Sequence, residues 1–281
     1  GLEKKIKQIY LNICDFKKLN GVIKKEKPDI IFHLAAQSIV SYSYLQPLKT
    51  MVTNIIGSTN ILESVRINNI KNLVYITSDK CYLNDNRTTS YNENDILGGE
   101  DPYSASKACA ELVFQTYFKS FYNCSRKLRY ATTRAGNVIG GGDMKKDRVV
   151  PDIIKSFQNK TKLIIRSPNA TRPWQHVLEP ISGYLTLGNF LINNKLPKTT
   201  KPHWNFGPNI SSCKTVLQVA KKIISLWGEK KKINIIKKKA FKESTLLMLS
   251  SKKAKKELNW FPRLTFEETI KMTVDWYKLF L

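Results

Sequence analysis

The stretch NLVYITSDKCYLND, residues 72–85, joins an apolar run to three polar side chains. The run is rich in β-branched and aromatic residues, a composition that favours a buried strand. Ser78, Asp79 and Lys80 follow it directly, so a hydroxyl, a carboxyl and an amine stand together where the strand would end. The sequence therefore predicts a polar cluster at the tip of a buried strand.

Strand and helix patterns alternate on both sides of this stretch. Strands are predicted at IKQIYLNI, PDIIFHLAA and LRYATTRAG, residues 6–13, 28–36 and 128–136. Helical patterns lie between them, including a long one over residues 46–69. This alternation predicts an α/β fold, a doubly wound sheet of parallel strands with helices on both faces. Ligands of such sheets bind beyond the carboxyl ends of the strands, where Ser78 would lie.

The pattern changes near Met144, where shorter strands and amphipathic helices replace the regular alternation. We predict a first domain of residues 1–143 and a smaller C-terminal lobe of residues 144–281. Segment 174–194 reads as a strand turning into a helix, and we expect it to return to the first domain. The lobe would then close over the strand tips and contribute to a substrate site.

Composition limits the classes of protein that fit. The chain has 281 residues, 42% of them hydrophobic, which is enough for one large α/β domain or two smaller lobes. The formal net charge of +25 raises the question of nucleic-acid binding. Lysines are spread along the chain, however, and arginine is scarce beside lysine although it is the better reader of bases and phosphates. We therefore favour a solvated lysine-rich surface over a nucleic-acid groove.

Cysteine and histidine usage points in the same direction. Five widely spaced cysteines without a CxxC pair predict reduced thiols in a cytoplasmic protein. Three histidines offer little for a metal site. No apolar run approaches the roughly 20 residues that a membrane span needs, so no membrane partner is expected.

Tyr103 and Lys107 lie four residues apart in the segment DPYSASKACAEL, residues 101–112. Asp101 and Pro102 in front of them are typical of a helix N-cap and first turn, and the spacing puts both side chains on one helical face. Because an ammonium stabilises a neighbouring phenolate, we expect Lys107 to lower the pKa of Tyr103 and make it a general base. Such pairs are common by chance, so this pair gains weight from its position after the strand tip.

Five motifs occur in the order found in one enzyme family: HLAAQS, TSDKCY, PYSASK, RAGNVIGGGD and RPWQHVLEP. On these motifs nearly the whole chain resembles the extended short-chain dehydrogenase/reductases, and in detail the CDP-glucose 4,6-dehydratases. The resemblance implies a Rossmann-like fold, NAD as cofactor and a hydro-lyase activity on a nucleotide-sugar. Relatives that act on dTDP-glucose carry two acids after the hydroxyl residue. This chain has Asp79 and Lys80 there, which favours the CDP-sugar branch.

The resemblance also implies roles for the clustered residues. Tyr103 would take the proton of the sugar hydroxyl at carbon 4 while hydride passes to NAD⁺, and Ser78 would bond the same oxygen. Lys80, kept neutral by desolvation and by a positive neighbour such as Lys107, would remove the proton at carbon 5. Asp79, held neutral at that moment, would protonate the hydroxyl leaving carbon 6. Return of the hydride to carbon 6 leaves a 4-keto-6-deoxy sugar. Without Tyr103 and Lys107, the same cluster would read as a turn stabilised by Ser and Asp side chains.

Other positions match family sites for the cofactor and the substrate. The expected cofactor contacts are Asp15, Phe16, Leu34, Ala35, Ala36, Asn54, Ile76, Tyr103 and Lys107. The expected substrate contacts are Gln37, Ser78, Asn137, Arg148, Arg172 and His176. Asp15 and Phe16 fit a helix N-cap and a core residue equally well, and residues 34–36 fit a plain buried strand end nearly as well. Arginines suit a diphosphate because their forked donors make two parallel hydrogen bonds.

The start of the chain departs from the family pattern. The resemblance calls for a glycine-rich turn that receives the pyrophosphate after the first strand, and nothing upstream of Asp15 resembles it. We therefore expect an N-terminally truncated member whose sheet lacks its first strands. Residues 28–36 would then form an apolar free edge, and the chain would bind NAD weakly and tend to aggregate.

The leading hypothesis is an NAD-dependent nucleotide-sugar 4,6-dehydratase that converts CDP-glucose to CDP-4-keto-6-deoxyglucose, in deoxysugar synthesis for surface polysaccharide. The alternatives are another nucleotide-sugar epimerase or dehydratase, and a truncated, catalytically silent cofactor-fold protein. The resemblance further implies a homodimer built through a four-helix bundle, to which the helices over residues 54–66 and 103–122 would contribute.

Overall fold

Helices and strands follow one another largely as the sequence predicts. The computed structural model describes residues 4–122, 128–195, 201–235 and 247–281. Its α-helices are α1 Phe16–Glu26, α2 Val40–Leu45, α3 Pro47–Met51, α4 Ser58–Ile67, α5 Pro102–Tyr117, α6 Val149–Gln158, α7 Leu178–Ile192, α8 Val216–Trp227, α9 Lys252–Leu258 and α10 Phe266–Phe280. Its strands are β1 Ile30–His33, β2 Asn72–Ile76, β3 Arg129–Ala135, β4 Val138–Ile139, β5 Leu163–Ile165, β6 Thr171–Pro173, β7 Gln175–His176, β8 His203–Phe206, β9 Cys213–Thr215 and β10 Ile233–Ile235.

The main sheet has four strands in the order β1-β2-β3-β8. All three neighbouring pairs are parallel. Parallel neighbours require crossover connections, and helices supply them, as the alternating sequence pattern predicts. The predicted α/β fold with a Rossmann-like parallel sheet is therefore confirmed.

Both faces of this sheet are covered because alternate residues of a strand point to opposite sides. On β2, Leu73 and Tyr75 pack into a core with helices α1, α4 and α5. Val74, between them, packs on the other face against helices α7 and α9. The carboxyl ends of β1, β2 and β3 thus open between two helical layers, and this opening holds the candidate site.

The C-terminal part of the chain forms a second core beyond the strand ends. Helices α6, α8 and α10 pack around a cluster that includes Phe157, Ile223 and Val274. Two small sheets accompany it, a parallel pair of β5 with β10 and an antiparallel pair of β6 with β9. Strands β4 and β7 pair just beyond the end of β3 and connect this core to the main sheet.

Turns of unusual helix type lie near the strand ends. A π-helical turn, Val52–Gly57, separates α3 from α4 within the predicted long helix, and a second, Phe118–Tyr122, extends α5. A 3₁₀ turn, Asp79–Cys81, follows β2. π-Turns frequently occur at functional sites, and the first of them carries Asn54, one of the predicted site residues.

One expectation about strands needs correction. Residues 6–13 form no strand, because in the described part of the chain the edge strand β1 pairs with β2 alone and a lone extended segment gains no ladder hydrogen bonds. Strand β8, which lies beyond the predicted returning segment 174–194, pairs with β3 in the main sheet. The division at residues 143 and 144 stays a prediction. Strand β10 ends at the boundary of the described part, and residues 236–246 lie outside it.

Candidate active site

Helix α5 presents the predicted phenol and amine toward the tip of β2. Asp101 caps the helix by accepting a hydrogen bond from the Ser104 amide at 3.0 Å, and Pro102 occupies the first turn, as predicted. Tyr103 and Lys107 follow one turn apart and are 7% and 6% exposed. The helix packs directly against the 3₁₀ turn Asp79–Cys81. The two motifs that sequence reasoning paired are therefore neighbours in space.

Ser78 and Asp79 form a hydrogen-bonded unit at the strand tip. Ser78 is extended and caps the 3₁₀ turn, with its hydroxyl oxygen accepting from the Lys80 amide at 3.3 Å. The same hydroxyl donates to Asp79 Oδ1 at 2.9 Å. Ser78 and Asp79 are buried, whereas Lys80 is half-buried. Lys80 as a base at carbon 5 stays a prediction.

Tyr103 is hydrogen-bonded to the Ser78 side chain, which joins the helix to the strand tip. Burial raises the pKa of Tyr103 to about 12, and the nearby Asp79 carboxyl acts in the same direction. The expectation of a lowered pKa is therefore wrong for the chain on its own. The reason is that both α5 and the 3₁₀ turn exclude water from the phenol, and desolvation disfavours its ionised form.

Lys107 lies in an environment that disfavours its protonated form. Burial lowers the pKa of Lys107 to about 8, although the Cys81 thiol and the Glu111 carboxylate act in the opposite direction. The charge of Lys107 in turn adds to burial in lowering the pKa of His33 to about 3. Near pH 7 Lys107 is therefore mostly protonated and His33 is neutral.

Asp79 occupies a tight pocket formed by the end of β3. Burial raises the pKa of its carboxyl, against the opposing charges of Lys80 and Arg172. A Cβ atom at Gly136 would come within 2.0 Å of Asp79 Oδ2, so only glycine leaves room for the carboxyl. Asn137, which adopts a left-handed conformation with φ of 54°, approaches the same oxygen with its Nδ2 at 3.4 Å. The expectation that Asp79 favours its neutral form agrees with this environment.

The predicted cofactor contacts lie along the carboxyl end of β1 and the helix beside it. Leu34 and Ala35 are exposed and Ala36 is half-buried, so they form a surface next to the buried phenol and amine. Asn54 is 1% exposed and holds this loop: its Oδ1 accepts from the Gln37 amide at 2.8 Å, and its Nδ2 donates to the Gln37 carbonyl at 2.9 Å.

The same Asn54 amide donates to Ser106 Oγ at 2.9 Å, which ties the loop to helix α5. Ile76, the last residue of β2, is half-buried. Asp15 caps α1 by accepting from the Lys18 amide at 3.1 Å, and Phe16 is 38% exposed. Adenine contact by Asp15 and Phe16 stays a prediction.

These residues fit one half of NAD. A phenol and an ammonium one helical turn apart suit ribose hydroxyls, and the exposed apolar side chains of Leu34 and Ala35 offer a surface for the adjoining ring. The phosphate end is different, because the only glycine between residues 4 and 33 is Gly21, which lies inside α1. The described residues thus fit the nicotinamide end of the cofactor, and this fit does not extend to a glycine cradle for its pyrophosphate.

The predicted substrate contacts divide into two groups. Arg172 and His176 are buried, and Arg172 carries a charge close enough to act on Asp79. Arg148 is part-exposed, and it donates to Asp143 Oδ2 at 2.8 Å and to Ser38 Oγ at 3.0 Å.

Gln37 differs from these residues because its side chain is already hydrogen-bonded to neighbouring groups of the protein. Its Nε2 donates to Thr50 Oγ1 at 2.9 Å, and its Oε1 accepts from the Ile39 amide at 2.6 Å. In this conformation Gln37 braces the loop after β1. Its contact with substrate stays a prediction.

Sequence reasoning missed an ion pair beneath the site. Glu111 and Arg134, at 0% and 1% side-chain exposure, pair at 2.8 Å. Glu111 lies four residues after Lys107 and so continues the face that carries Tyr103. A glutamate on this face and an arginine inside a predicted strand were the signals that could have predicted the pair.

Comparisons with known sequences show the family of this chain. The sequence model described as GDP-mannose 4,6 dehydratase matches residues 1–273. The chain belongs to this family. It is 44% identical to the CDP-glucose 4,6-dehydratase of Salmonella typhimurium over 275 residues, covering 96% of this chain and 76% of that protein. It is 29% identical to a dTDP-D-glucose 4,6-dehydratase of Dictyostelium discoideum, covering 95% and 68% of the two chains.

Solved structures of other nucleotide-sugar enzymes have the same fold. The dTDP-glucose 4,6-dehydratase of Bacillus anthracis, determined in complex with NAD, superposes with a TM-score of 0.79 at 25% identity, covering 96% of this chain and 79% of that one. The UDP-glucose 4-epimerase of Thermotoga maritima gives a TM-score of 0.83 at 21% identity, covering 100% and 88%. At 21% identity, the similarity to the epimerase supports a shared fold only.

Proposed function

We propose that the protein is an NAD-dependent 4,6-dehydratase of CDP-glucose, a hydro-lyase that forms CDP-4-keto-6-deoxyglucose. The observation that carries the proposal is the meeting of Tyr103 and Lys107 with Ser78 and Asp79 around the tip of β2. The 44% identity to a CDP-glucose 4,6-dehydratase supports the choice of nucleotide-sugar. So does Lys80, which stands directly after Asp79.

The first step needs a base and a hydrogen-bond donor at one sugar oxygen. Tyr103 takes the proton from the hydroxyl at carbon 4, and Ser78, already bonded to the phenol, holds that oxygen. Lys107, one turn along the same helix, and the positive charge of NAD⁺ when bound are proposed to favour the phenolate, which burial disfavours in the chain on its own. NAD, when bound, would supply the hydride acceptor for carbon 4 and, once reduced, the hydride donor for carbon 6.

The elimination needs an acid and a base on either side of one carbon–carbon bond. Asp79 suits the acid role because burial raises the pKa of its carboxyl, so that it can hold a proton for the hydroxyl leaving carbon 6. Lys80 is the candidate base at carbon 5, since it follows Asp79 within the same 3₁₀ turn. The ketone formed at carbon 4 makes the proton at carbon 5 acidic enough for an amine to remove.

The diphosphate of the substrate is proposed to bind near Arg148 and Arg172. Arg148 is part-exposed at the mouth, and Arg172 lies deeper beside Asp79. Asn137 and His176 line the path between the sugar and the lobe, and Gln37 is proposed to contact the sugar after its local hydrogen bonds rearrange. The net charge of +25 assists capture of an anionic substrate without any role for nucleic acid.

We further propose a cytoplasmic homodimer that acts in deoxysugar synthesis for polysaccharide. Exposed apolar side chains on the two proposed dimer helices support the association: Ile56, Leu112 and Phe121 are 51%, 51% and 48% exposed. The four described cysteines are free thiols, as a reducing compartment requires. In the described part of the chain, no helix has the length and apolar character needed to cross a membrane. Light scattering of the purified protein tests the dimer.

The test is turnover of CDP-glucose in the presence of NAD, followed by the ultraviolet absorption that a 4-keto sugar develops in alkali. We expect absorption with CDP-glucose and much less with dTDP-glucose or UDP-glucose. An epimerase would instead yield a sugar that keeps its hydroxyl at carbon 6 and gives no such absorption. A protein that gives neither product would be catalytically silent.

A further inference from the structure

A buried ion pair lies directly beneath the candidate site. Glu111 of α5 accepts two hydrogen bonds from the Arg134 guanidinium of β3, each at 2.8 Å. Burial alone would raise the pKa of Glu111, but the charge and hydrogen bonds of Arg134 lower it to about 2. His203 lies 3.7 Å away and is neutral because burial lowers its pKa to about 4. The pair is therefore fully charged at neutral pH.

Each member of the pair also holds one end of the strand-tip cluster. Thr77, just before Ser78, donates its hydroxyl to Glu111 Oε1 at 2.5 Å. Tyr82, just after the 3₁₀ turn, accepts from Arg134 Nη1 at 2.6 Å. The segment 78–81 is thus bracketed by two residues that are fixed to the same ion pair.

The bracket also fixes the distance between the cluster and the helix that faces it. Glu111 is on the same face of α5 as Tyr103 and Lys107, so the carboxylate that holds Thr77 is rigidly connected to the phenol and the amine. The Tyr82 hydroxyl donates onward to Asn205 Oδ1 of β8 at 2.9 Å. Helix α5 and strands β2, β3 and β8 therefore meet in one hydrogen-bonded network.

A purely structural role would not need this arrangement. Replacing a buried ion pair with apolar residues is often neutral or stabilising, so burial of charge is weak support for a role in stability alone. Thr77 and Tyr82 connect the ion pair to the two ends of the segment that carries Ser78 and Asp79. What the pair uniquely provides is a fixed geometry between two elements that must act on one sugar.

We propose that Glu111 and Arg134 are positioning residues that hold Ser78 and Asp79 in register with Tyr103 and Lys107 through Thr77 and Tyr82. The proposal rests on the proposed dehydratase function for its meaning in catalysis. Its geometric content concerns this chain alone and can be measured without turnover.

The test removes the two bracket hydroxyls and leaves the ion pair in place. The variant is Thr77→Val with Tyr82→Phe, and its matched control is Tyr91→Phe. Tyr91 stacks on Tyr82 with ring centroids 5.4 Å apart, but its hydroxyl bonds Asn84 and Asp85 outside the network. Both variants lose aromatic hydroxyl hydrogen bonds, so general destabilisation affects both.

The first readout is the titration of Asp79, followed by carbon-13 NMR of labelled aspartate and assigned with Asp79→Asn. We expect the pKa of Asp79 to fall toward its ordinary value in the bracket variant, because a displaced carboxyl gains water, and to stay unchanged in Tyr91→Phe. Equal titration in the wild type and the bracket variant would overturn the proposal.

The second readout is catalysis. A misplacement on the order of 1 Å costs ~100-fold in rate, so kcat should fall ~10- to 100-fold in the bracket variant with KM within about 2-fold. A loss in KM alone, or an equal loss in Tyr91→Phe, would contradict a positioning role. Absence of turnover in the wild type would defeat the proposed function but leave the Asp79 titration to decide the positioning proposal.

Discussion

The two sides of the candidate site differ in how completely the chain builds them. On the chemical side, Ser78, Asp79, Tyr103 and Lys107 are all buried and joined by hydrogen bonds or by close packing. The first segment, residues 4–36, contrasts with it: Tyr10 is 87% exposed, and β1 has a partner on one side only among the described strands.

The difference shows which of the proposed site residues the folded core holds in place. Groups that must move protons are fixed by elements of the core, since their positions have to be correct before any ligand arrives. Leu34 and Ala35, two of the proposed cofactor contacts, are exposed. The predictions below separate the two sides, beginning with the change that should have the largest effect.

Replacing the phenol should abolish most activity and leave the fold intact. Tyr103→Phe removes the proposed base together with its bond to Ser78, and general base catalysis contributes up to ~10⁴-fold. We expect kcat to fall on the order of 10³- to 10⁴-fold with an unchanged unfolding midpoint. Tyr117→Phe is the matched control on the same helix, because its hydroxyl bonds Glu63 at 3.3 Å. Comparable activity in the two variants would remove Tyr103 from the mechanism.

Replacing the Asp79 carboxyl should lower activity and, at neutral pH, favour stability. Asp79→Asn removes the proton donor, so kcat should fall on the order of 10²-fold. The folded pKa of Asp79 is raised above its ordinary value, so the folded state keeps a proton that the unfolded state releases. The contribution of Asp79 to wild-type stability should therefore decline as the pH rises from 3.8 through the folded pKa. Because an asparagine at this position does not titrate, the stability of the variant relative to the wild type should be greater at pH 7 than at pH 3. Chemical unfolding at both pH values checks the sign; a variant less stable at pH 7 would contradict it.

Two glycine substitutions contrast the two sides directly. Gly136→Ala places a methyl 2.0 Å from Asp79 Oδ2, so it should cost about 1–3 kcal/mol of stability and reduce kcat ~10-fold or more. Gly21→Ala lies in the middle of α1 with nothing within 4 Å, and it should stabilise the fold by about 0.5–1 kcal/mol with full activity. Denaturant unfolding and the dehydratase assay measure both. Opposite signs are the expected result, and two destabilising changes would contradict the contrast.

The smallest effect on folding is expected at the first segment. Tyr10→Lys replaces an 87% exposed ring and should change the free energy of unfolding by less than about 0.5 kcal/mol. It should still reduce aggregation, because it places a charge among the exposed apolar side chains of this segment, which include Ile6 and Ile9. Light scattering over a concentration series, with Tyr10→Phe as the control, measures this. Equal aggregation in both variants would locate the sticky surface elsewhere.

The sequence predicted the parts of the molecule that depend on local pattern. Alternating periods gave the parallel sheet, and the four-residue spacing of Tyr103 and Lys107 gave the helical face that meets Ser78. Residues 6–13 have a strand pattern equally strong, but a strand also needs a partner, and the local pattern carries no information about one.

Contacts between distant segments could not be read from spacing. The pKa of Tyr103 depends on how completely α5 and the turn at residues 79–81 exclude water, and burial raises it where the spacing to Lys107 predicted a lowering. The room that Gly136 leaves for Asp79 depends on the path of β3 beside β2. The Glu111–Arg134 pair joins residues 23 positions apart, and only the folded sheet brings them together.

The transfer of label within one sugar tests the central claim most directly. The protein is incubated with NAD and CDP-glucose that carries deuterium at carbon 4, and the product is examined by NMR and mass spectrometry. If one pocket oxidises, eliminates and reduces in succession, the deuterium appears at carbon 6 of a 4-keto-6-deoxy product. A product that keeps its hydroxyl at carbon 6, or a 6-deoxy product without deuterium at that carbon, would contradict the account.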